Sequence, residues 1–278
     1  MGMSSPSASR TSAQVFPPGR QILASIDQAH LIEDPYPHLV VEDALPKAIA
    51  DTLLAEMPPL EVFTRGRPPG SNVRFRLPSP RALSDPRISS TWKDALSACV
   101  DASQDFLERT LSRLGGHLLT LFPDFESRFG PIRELRAVPR DTPNRKRNEV
   151  GMDAQLIVNS PPLVDGTTVR GPHVDWPDKL ISALLYLRPE DDDSVGGDLE
   201  LYAPSGGTLL FNTHNEVPLE SVRRMRTYPY RHNLMILPLV TPLGLHGVSP
   251  RGRTSRPRYH LHVAGELAGA LFDIKRAT

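Results

Sequence analysis

The apolar positions of this chain change period about halfway along it. Between residues 90 and 122, Trp92, Leu96, Val100, Phe106, Leu107, Leu111 and Leu114 recur at helical spacing, which predicts a helix with one buried stripe. Gly115-Gly116 predicts its end, with a second short helix over 117–122. Another helix is predicted over Leu45–Glu56, with Pro46 near its first turn and Ile49, Ala50, Leu53 and Leu54 on one face. Farther along, the runs shorten to strand length: Met152–Asn159, Ile181–Leu187, Leu199–Tyr202 and Leu234–Leu237, with period-two alternation over Arg258–Val263. Residues 38–42 (HLVVE) also predict a strand. Three stretches carry no period. Residues 64–89 read as a long loop with a short strand over Val73–Arg76, and 139–148 as a polar loop. Residues 203–232 read as a long insertion carrying Tyr228, Tyr230 and four arginines. Glu266–Ala277 is expected to close the chain as a helix, and no internal repeat is visible.

Composition narrows the setting. Of 278 residues, 39% are hydrophobic and 23% charged, an ordinary soluble profile. The 32 basic and 32 acidic residues cancel, so nothing calls for a nucleic acid or an anionic membrane as partner. The 29 prolines punctuate loops and favour short strands over long helices. The single cysteine, Cys99, has no internal disulfide partner and is expected to act as a small buried apolar residue. Residues 1–20 are rich in Ser and Pro, lack the apolar core of a secretion signal and are expected to be disordered. No apolar run reaches the roughly 18 residues that span a bilayer. These features suit a cytoplasmic protein with one domain over 21–278; the oligomeric state stays open.

The chemistry is concentrated in three places: His173-Val174-Asp175, then His246-Gly247-Val248, then Arg258. Two histidines and one carboxylate in this order are the ligand types of a mononuclear non-haem iron site. On a strand, residues two apart share a face, so His173 and Asp175 are expected to grip one metal from a single strand while Val174 packs behind it. The third ligand, His246, is expected from the strand opened by Leu234–Leu237. Coordination requires neutral histidine, and the unperturbed pKa near 6.5 predicts that metal affinity falls below about pH 6.

Accessory features surround the triplet. Gly171-Pro172 precedes it, the Ile181–Leu187 strand follows, Gly196-Gly197-Asp198-Leu199 opens the next strand, and Arg258-Tyr-His-Leu-His-Val263 comes after His246. This order resembles the iron(II)/2-oxoglutarate-dependent dioxygenases, and within them the prolyl-4-hydroxylase-like superfamily. It covers residues 150 to 265 and extends weakly to Pro37–Pro46, which is similar to the opening strand and turn of many members. The resemblance implies a mainly β chain with supporting α: a double-stranded β-helix, or jelly roll, over 151–265, with helical support and loops over 21–150. It implies Fe(II), 2-oxoglutarate and O2 as cofactor and cosubstrates, and hydroxylation of an unactivated C–H bond. Asp at 175, where related halogenases carry a small residue, favours hydroxylation over halogenation.

By the same resemblance Arg258 anchors the far carboxylate of 2-oxoglutarate, since arginine takes a carboxylate through two parallel hydrogen bonds. Arg256 is the alternative, although Pro257 separates it from the strand. Asn159 and Gln155 share a strand face and stand in for the tyrosine that many relatives carry there. His260 shares a face with Arg258 and can help hold the carboxylate, and His262 continues that face. Leu185 occupies a position where some relatives have tyrosine, with Tyr186 beside it. His214 is the one rival to His246. Arg251 and Arg253 are expected to be solvated loop charges, and Trp176 and Lys179 surface residues unless they line the substrate mouth. A small molecule or a glycan component is the expected substrate, and the arginines of 65–87 and 223–231 suit an anionic one. The alternatives are a protein or peptide side chain, a cupin-like metal protein that does not use 2-oxoglutarate, and a non-catalytic binding module.

Overall fold

The computed structural model describes residues 18–206 and 208–274; most of the stretch expected to be disordered, residues 1–17, lies outside them. Helix α1 begins at Pro18 and runs to Ala24. The strands are β1 (His30–Ile32), β2 (His38–Val41), β3 (Arg74–Pro78), β4 (Arg136–Pro139), β5 (Glu149–Asn159), β6 (Lys179–Leu187), β7 (Leu199–Pro204), β8 (Val222–Tyr228), β9 (Met235–Pro238), β10 (His246–Val248) and β11 (Arg258–Glu266). They form two sheets. The larger has the order β1-β2-β9-β6-β11-β5-β3, with β4 pairing β5, and the smaller has the order β10-β7-β8. From β5 onward the chain winds between them: β5 and β6 in the large sheet, β7 and β8 in the small, β9 large, β10 small, β11 large. That winding is a jelly roll, as expected.

The helices α2 (Lys47–Ala55), α3 (Leu60–Thr64), α4 (Ser79–Ser84), α5 (Ser90–Asp101), α6 (Ser103–Leu121) and α7 (Phe125–Phe129) precede the winding. They share one hydrophobic core with the outer face of the large sheet. The alternation of each strand decides what meets what. Leu156 and Val158 of β5, Ala183, Leu185 and Leu187 of β6, and Leu261 and Val263 of β11 belong to the helix-backed core. The intervening residues point the other way, toward the small sheet. Each fully buried apolar side chain contributes roughly 1.5–3 kcal/mol, so the outer face fixes the register that aims the inner one. Trp92 anchors the helical layer: it is fully buried and donates its indole N–H to Leu53 O at 2.9 Å. Cys99 is buried on the same helix, and burial pushes its thiol up to about 12.

Several elements depart from the sequence pattern. Gly115-Gly116 does not end a helix; α6 runs through to Leu121. Its apolar stripe continues beyond the glycines to Leu118, and that packing outweighs the roughly 1 kcal/mol cost of each glycine. The aperiodic stretch 64–89 contains α4, and β3 within it pairs along β5. The stretch 203–232 is no free insertion, because β8 forms the outer strand of the small sheet against β7. The expected C-terminal helix is absent among the described residues. Instead β11 extends to Glu266, and the chain then turns, with Leu267 N and Leu271 N donating to Asp178 O and Pro177 O; residues 275–277 lie outside the described range. No helix among the described residues is long and apolar enough to cross a membrane.

Candidate metal centre

His173, Asp175 and His246 come together between the sheets. One ligand atom from each lies within 4.8 Å of the others, and the two imidazole centroids are 4.2 Å apart. The backbone arranges this differently from the simple expectation. His173-Val174-Asp175 is extended but belongs to no regular strand; His173 forms a single bridge to His246 and to Glu216. His246 comes not from the Leu234–Leu237 strand, which lies in the large sheet, but from β10 of the small one. Val174 is buried behind the pair in a cluster with Tyr202 and Leu245, as the alternation requires.

The histidine tautomers follow from their neighbours. His173 Nδ1 sits 2.8 Å from Gly171 O and His246 Nδ1 2.9 Å from Gly244 O. A carbonyl only accepts, so each Nδ1 carries the proton and each Nε2 presents a lone pair. Burial, then His246 and Arg170, hold His173 well below the usual histidine range. Burial likewise lowers His246. Burial alone pushes the Asp175 carboxyl up, but Lys179, His246 and His173 outweigh it and keep it well below the usual carboxylate range. Two neutral imidazoles and one ionised carboxylate, each with a donor atom converging on one point, fit a divalent transition metal. Lys179 is no free surface residue: its side chain is only 13% exposed and its ammonium donates to Asp175 Oδ1 at 2.8 Å. A strand-initiating lysine four residues past the carboxylate was the available signal. Trp176 is half exposed, outside the metal cavity.

Across the same cavity stands Arg258. It is 2% exposed and has no carboxylate partner among the described residues. Its Nε donates to Gly197 O at 2.7 Å and one terminal nitrogen donates to Asn159 Oδ1 at 3.2 Å. Its guanidinium lies between Tyr186 and Tyr230, 4.8 and 5.0 Å from the ring centroids. Gly197 must be glycine for this: its φ is +81°, and a Cβ there would stand 3.1–3.2 Å from the side chains of Arg251 and Arg258. Arg251 is itself fully buried, donating to Arg256 O and Ser194 Oγ, contrary to a solvated loop charge. Its sequence neighbourhood is polar, and only the fold reveals the enclosure. Arg256 is exposed and ion-paired with Asp191.

Asn159, His260 and His262 line the cavity together with Tyr186 and Arg258. His260 and His262 have no partner at Nδ1. Gln155 is buried but does not line the cavity; its amide donates to Asp153 at 2.9 Å. Tyr186, rather than the neighbouring Leu185, faces inward. His214 does not line the cavity and is exposed, its imidazole beside Thr213.

The buried histidines set a pH dependence. Burial is the first cause lowering His173, His246, His260 and His262. The unfolded chain, with ordinary histidines near 6.5, therefore binds more protons than the folded one on the acid side. Stability of the metal-free protein is full above about pH 6.5 and falls below it, by about 1.4 kcal/mol per pH unit for each histidine kept neutral. Urea denaturation between pH 7 and 5 reads this directly; a flat midpoint would contradict it. Metal affinity should persist to lower pH than the value of about 6 expected for ordinary histidines.

No protein-family model matches the sequence, and no curated protein matches it. Among solved structures the chain is similar to a prolyl 4-hydroxylase from Phytophthora capsici, at 17% identity and a TM-score of 0.48, covering 92% of this chain and 68% of that one. It is also similar to a prolyl-4-hydroxylase from Pseudomonas putida (15% identity, TM-score 0.45, 89% and 100% covered). A third is a prolyl hydroxylase from Trichoplax adhaerens, solved with a peptide fragment of hypoxia inducible factor (13%, 0.46, 89% and 88%). At such distances function has to be argued from the site.

Proposed function

We propose that the protein is an iron(II)- and 2-oxoglutarate-dependent oxygenase that hydroxylates an unactivated C–H bond, on a small molecule or glycan component. One observation carries this reading: the His173–Asp175–His246 convergence faces, across one cavity, a buried arginine that has no carboxylate of its own. Iron(II), when bound with 2-oxoglutarate and O2, supplies the oxidising chemistry; the residues supply its setting. His173, Asp175 and His246 would hold the metal, each supplying one donor. Arg258 receives the far carboxylate. Its Nε is committed to Gly197 and its position fixed by Asn159, so the free edge of the guanidinium takes the anion. Tyr186, Leu184 and Leu199 line the wall and exclude water from the reacting group.

A protein side chain is a second reading, favoured by an open groove of about 640 Å³ lined by Trp176, Pro177, Leu209 and Phe211, beginning one residue past Asp175. The test is succinate release coupled to O2 uptake in iron-loaded protein, screened against small molecules and peptides for a mass gain of one oxygen. Failure of the iron-loaded protein to bind 2-oxoglutarate would overturn the proposal in favour of a cupin-like metal protein, and failure to bind iron would favour a non-catalytic module.

A further inference from the structure

Four cations line the metal cavity: Arg74, Arg170, Lys179 and Arg258. Two have carboxylates. Lys179 holds Asp175 at 2.8 Å, and Arg170 faces Glu216 at 3.6 Å. Arg258 is assigned to the cosubstrate above. Arg74 remains, its side chain with no hydrogen bond or ion pair among the described residues and its Nε buried without a partner. Burial, then Arg76, push its guanidinium down to about 10 while Asp175 acts the other way, so it is charged at neutral pH without a carboxylate in contact. A part-buried charge without a partner costs stability, and this one lines the cavity of the candidate centre.

Its placement is not accidental to one loop. The β3 register pairs Arg74 with Asn159, and the β11 register pairs Asn159 with Arg258. Directly paired residues share a face, so guanidinium, amide and guanidinium form one row across three strands. Two strand spacings separate the arginine backbones, roughly 10 Å. A carboxylate seated on Arg258 therefore leaves Arg74 free for another. Asn159 stands between them, its Oδ1 held by Arg258 and its Nδ2 unpartnered. In the other basic stretch Arg224 is committed to Glu200, Arg226 to Asp34 O and Arg231 to Glu42, while Arg223 is exposed and does not line the cavity.

We infer that Arg74, with Asn159 Nδ2, forms a second anion site in this cavity, and that the substrate of the reaction proposed above carries a carboxylate that docks there. One planar guanidinium and one amide donor match the two oxygens of a carboxylate better than the larger acceptor set of a phosphate. The inference rests on Arg258 being the cosubstrate anchor.

The test uses protein loaded with Zn(II), which does not turn over, and saturated with 2-oxoglutarate. Acetate, and separately inorganic phosphate, is titrated calorimetrically at constant ionic strength. Wild-type protein is expected to bind one acetate beyond the 2-oxoglutarate. Arg74→Gln should weaken acetate by about tenfold or more while changing 2-oxoglutarate affinity by less than about twofold. Arg74→Lys, which keeps the charge and lets a folding defect be recognised, should restore part of the acetate binding. No second anion on wild-type protein would overturn the inference. So would an Arg74→Gln loss of 2-oxoglutarate affinity as large as that of Arg258→Gln, which would show both arginines sharing the cosubstrate. Phosphate binding more tightly than acetate through Arg74 would overturn the carboxylate assignment. If wild-type protein binds no 2-oxoglutarate at all, the oxygenase reading itself falls, and the inference with it; the 2-oxoglutarate titration separates that outcome from the others.

Discussion

Arg258→Ala will raise the concentration of 2-oxoglutarate needed for turnover by about thirty-fold or more, with iron affinity little changed. The expectation follows from the way the side chain is held. Gly197 O and Asn159 Oδ1 fix two of its nitrogens, and Tyr186 and Tyr230 flank the plane, so the fork is oriented before any anion arrives. Removing one partner of a desolvated charge pair costs on the order of 2–5 kcal/mol, and about 1.4 kcal/mol corresponds to tenfold. Arg258→Lys should rescue only partly, because an ammonium reaches neither the fork geometry nor the Gly197 contact at once. Arg256→Ala should do little, since Arg256 is exposed on Asp191. The metal-free, anion-free variant should be no less stable than wild type, because the substitution deletes a buried cation that lacks a carboxylate. Titrations of 2-oxoglutarate and thermal unfolding check both halves. A large effect of Arg256→Ala with a small one of Arg258→Ala would place the anchor on the wrong residue.

His246→Ala will abolish retention of iron, with affinity reduced by more than the roughly 10–100-fold that loss of a supporting partner costs. His173→Ala and Asp175→Ala should behave alike, because each removes one of the three donors of the proposed centre. The variants should still fold. Residues 173 and 246 are joined through backbone atoms, and the core behind them, Val174 with Tyr202 and Leu245, is untouched. Asp175→Gly should lose hydroxylation. His214→Ala should leave iron binding unchanged, as that imidazole is exposed beside Thr213. Iron content after dialysis, measured beside circular dichroism, decides the matter. Stoichiometric iron on folded His246→Ala protein would remove His246 from the centre.

What the sequence made legible was local. The period-two pattern of Arg258–Val263 placed Arg258, His260 and His262 on one face, and the structure lines the cavity with all three. The histidines and the carboxylate were readable because their spacing carries the chemistry. What stayed hidden depended on pairings between distant segments. Nothing in the basic stretch around Arg74 signals that it will lie beside Asn159, 85 positions later; only the β3–β5 register does that. Arg251 looked like one charge among many until the turn at Gly197 closed over it. The glycines of α6 misled for a related reason: a local breaker signal was outweighed by a stripe that packs on a partner the sequence does not show.

The backbone link between the two histidines has a thermodynamic consequence. His173 N donates to His246 O, and His246 N donates to His173 O, both at 2.9 Å. The segments bearing these ligands therefore lose their relative freedom during folding, not during metal capture. Ordering a backbone residue costs roughly 1–2 kcal/mol, a penalty that ion binding here does not incur again. The proposed centre is consequently assembled as an attribute of the folded chain, so that metal would leave and return without the two segments parting.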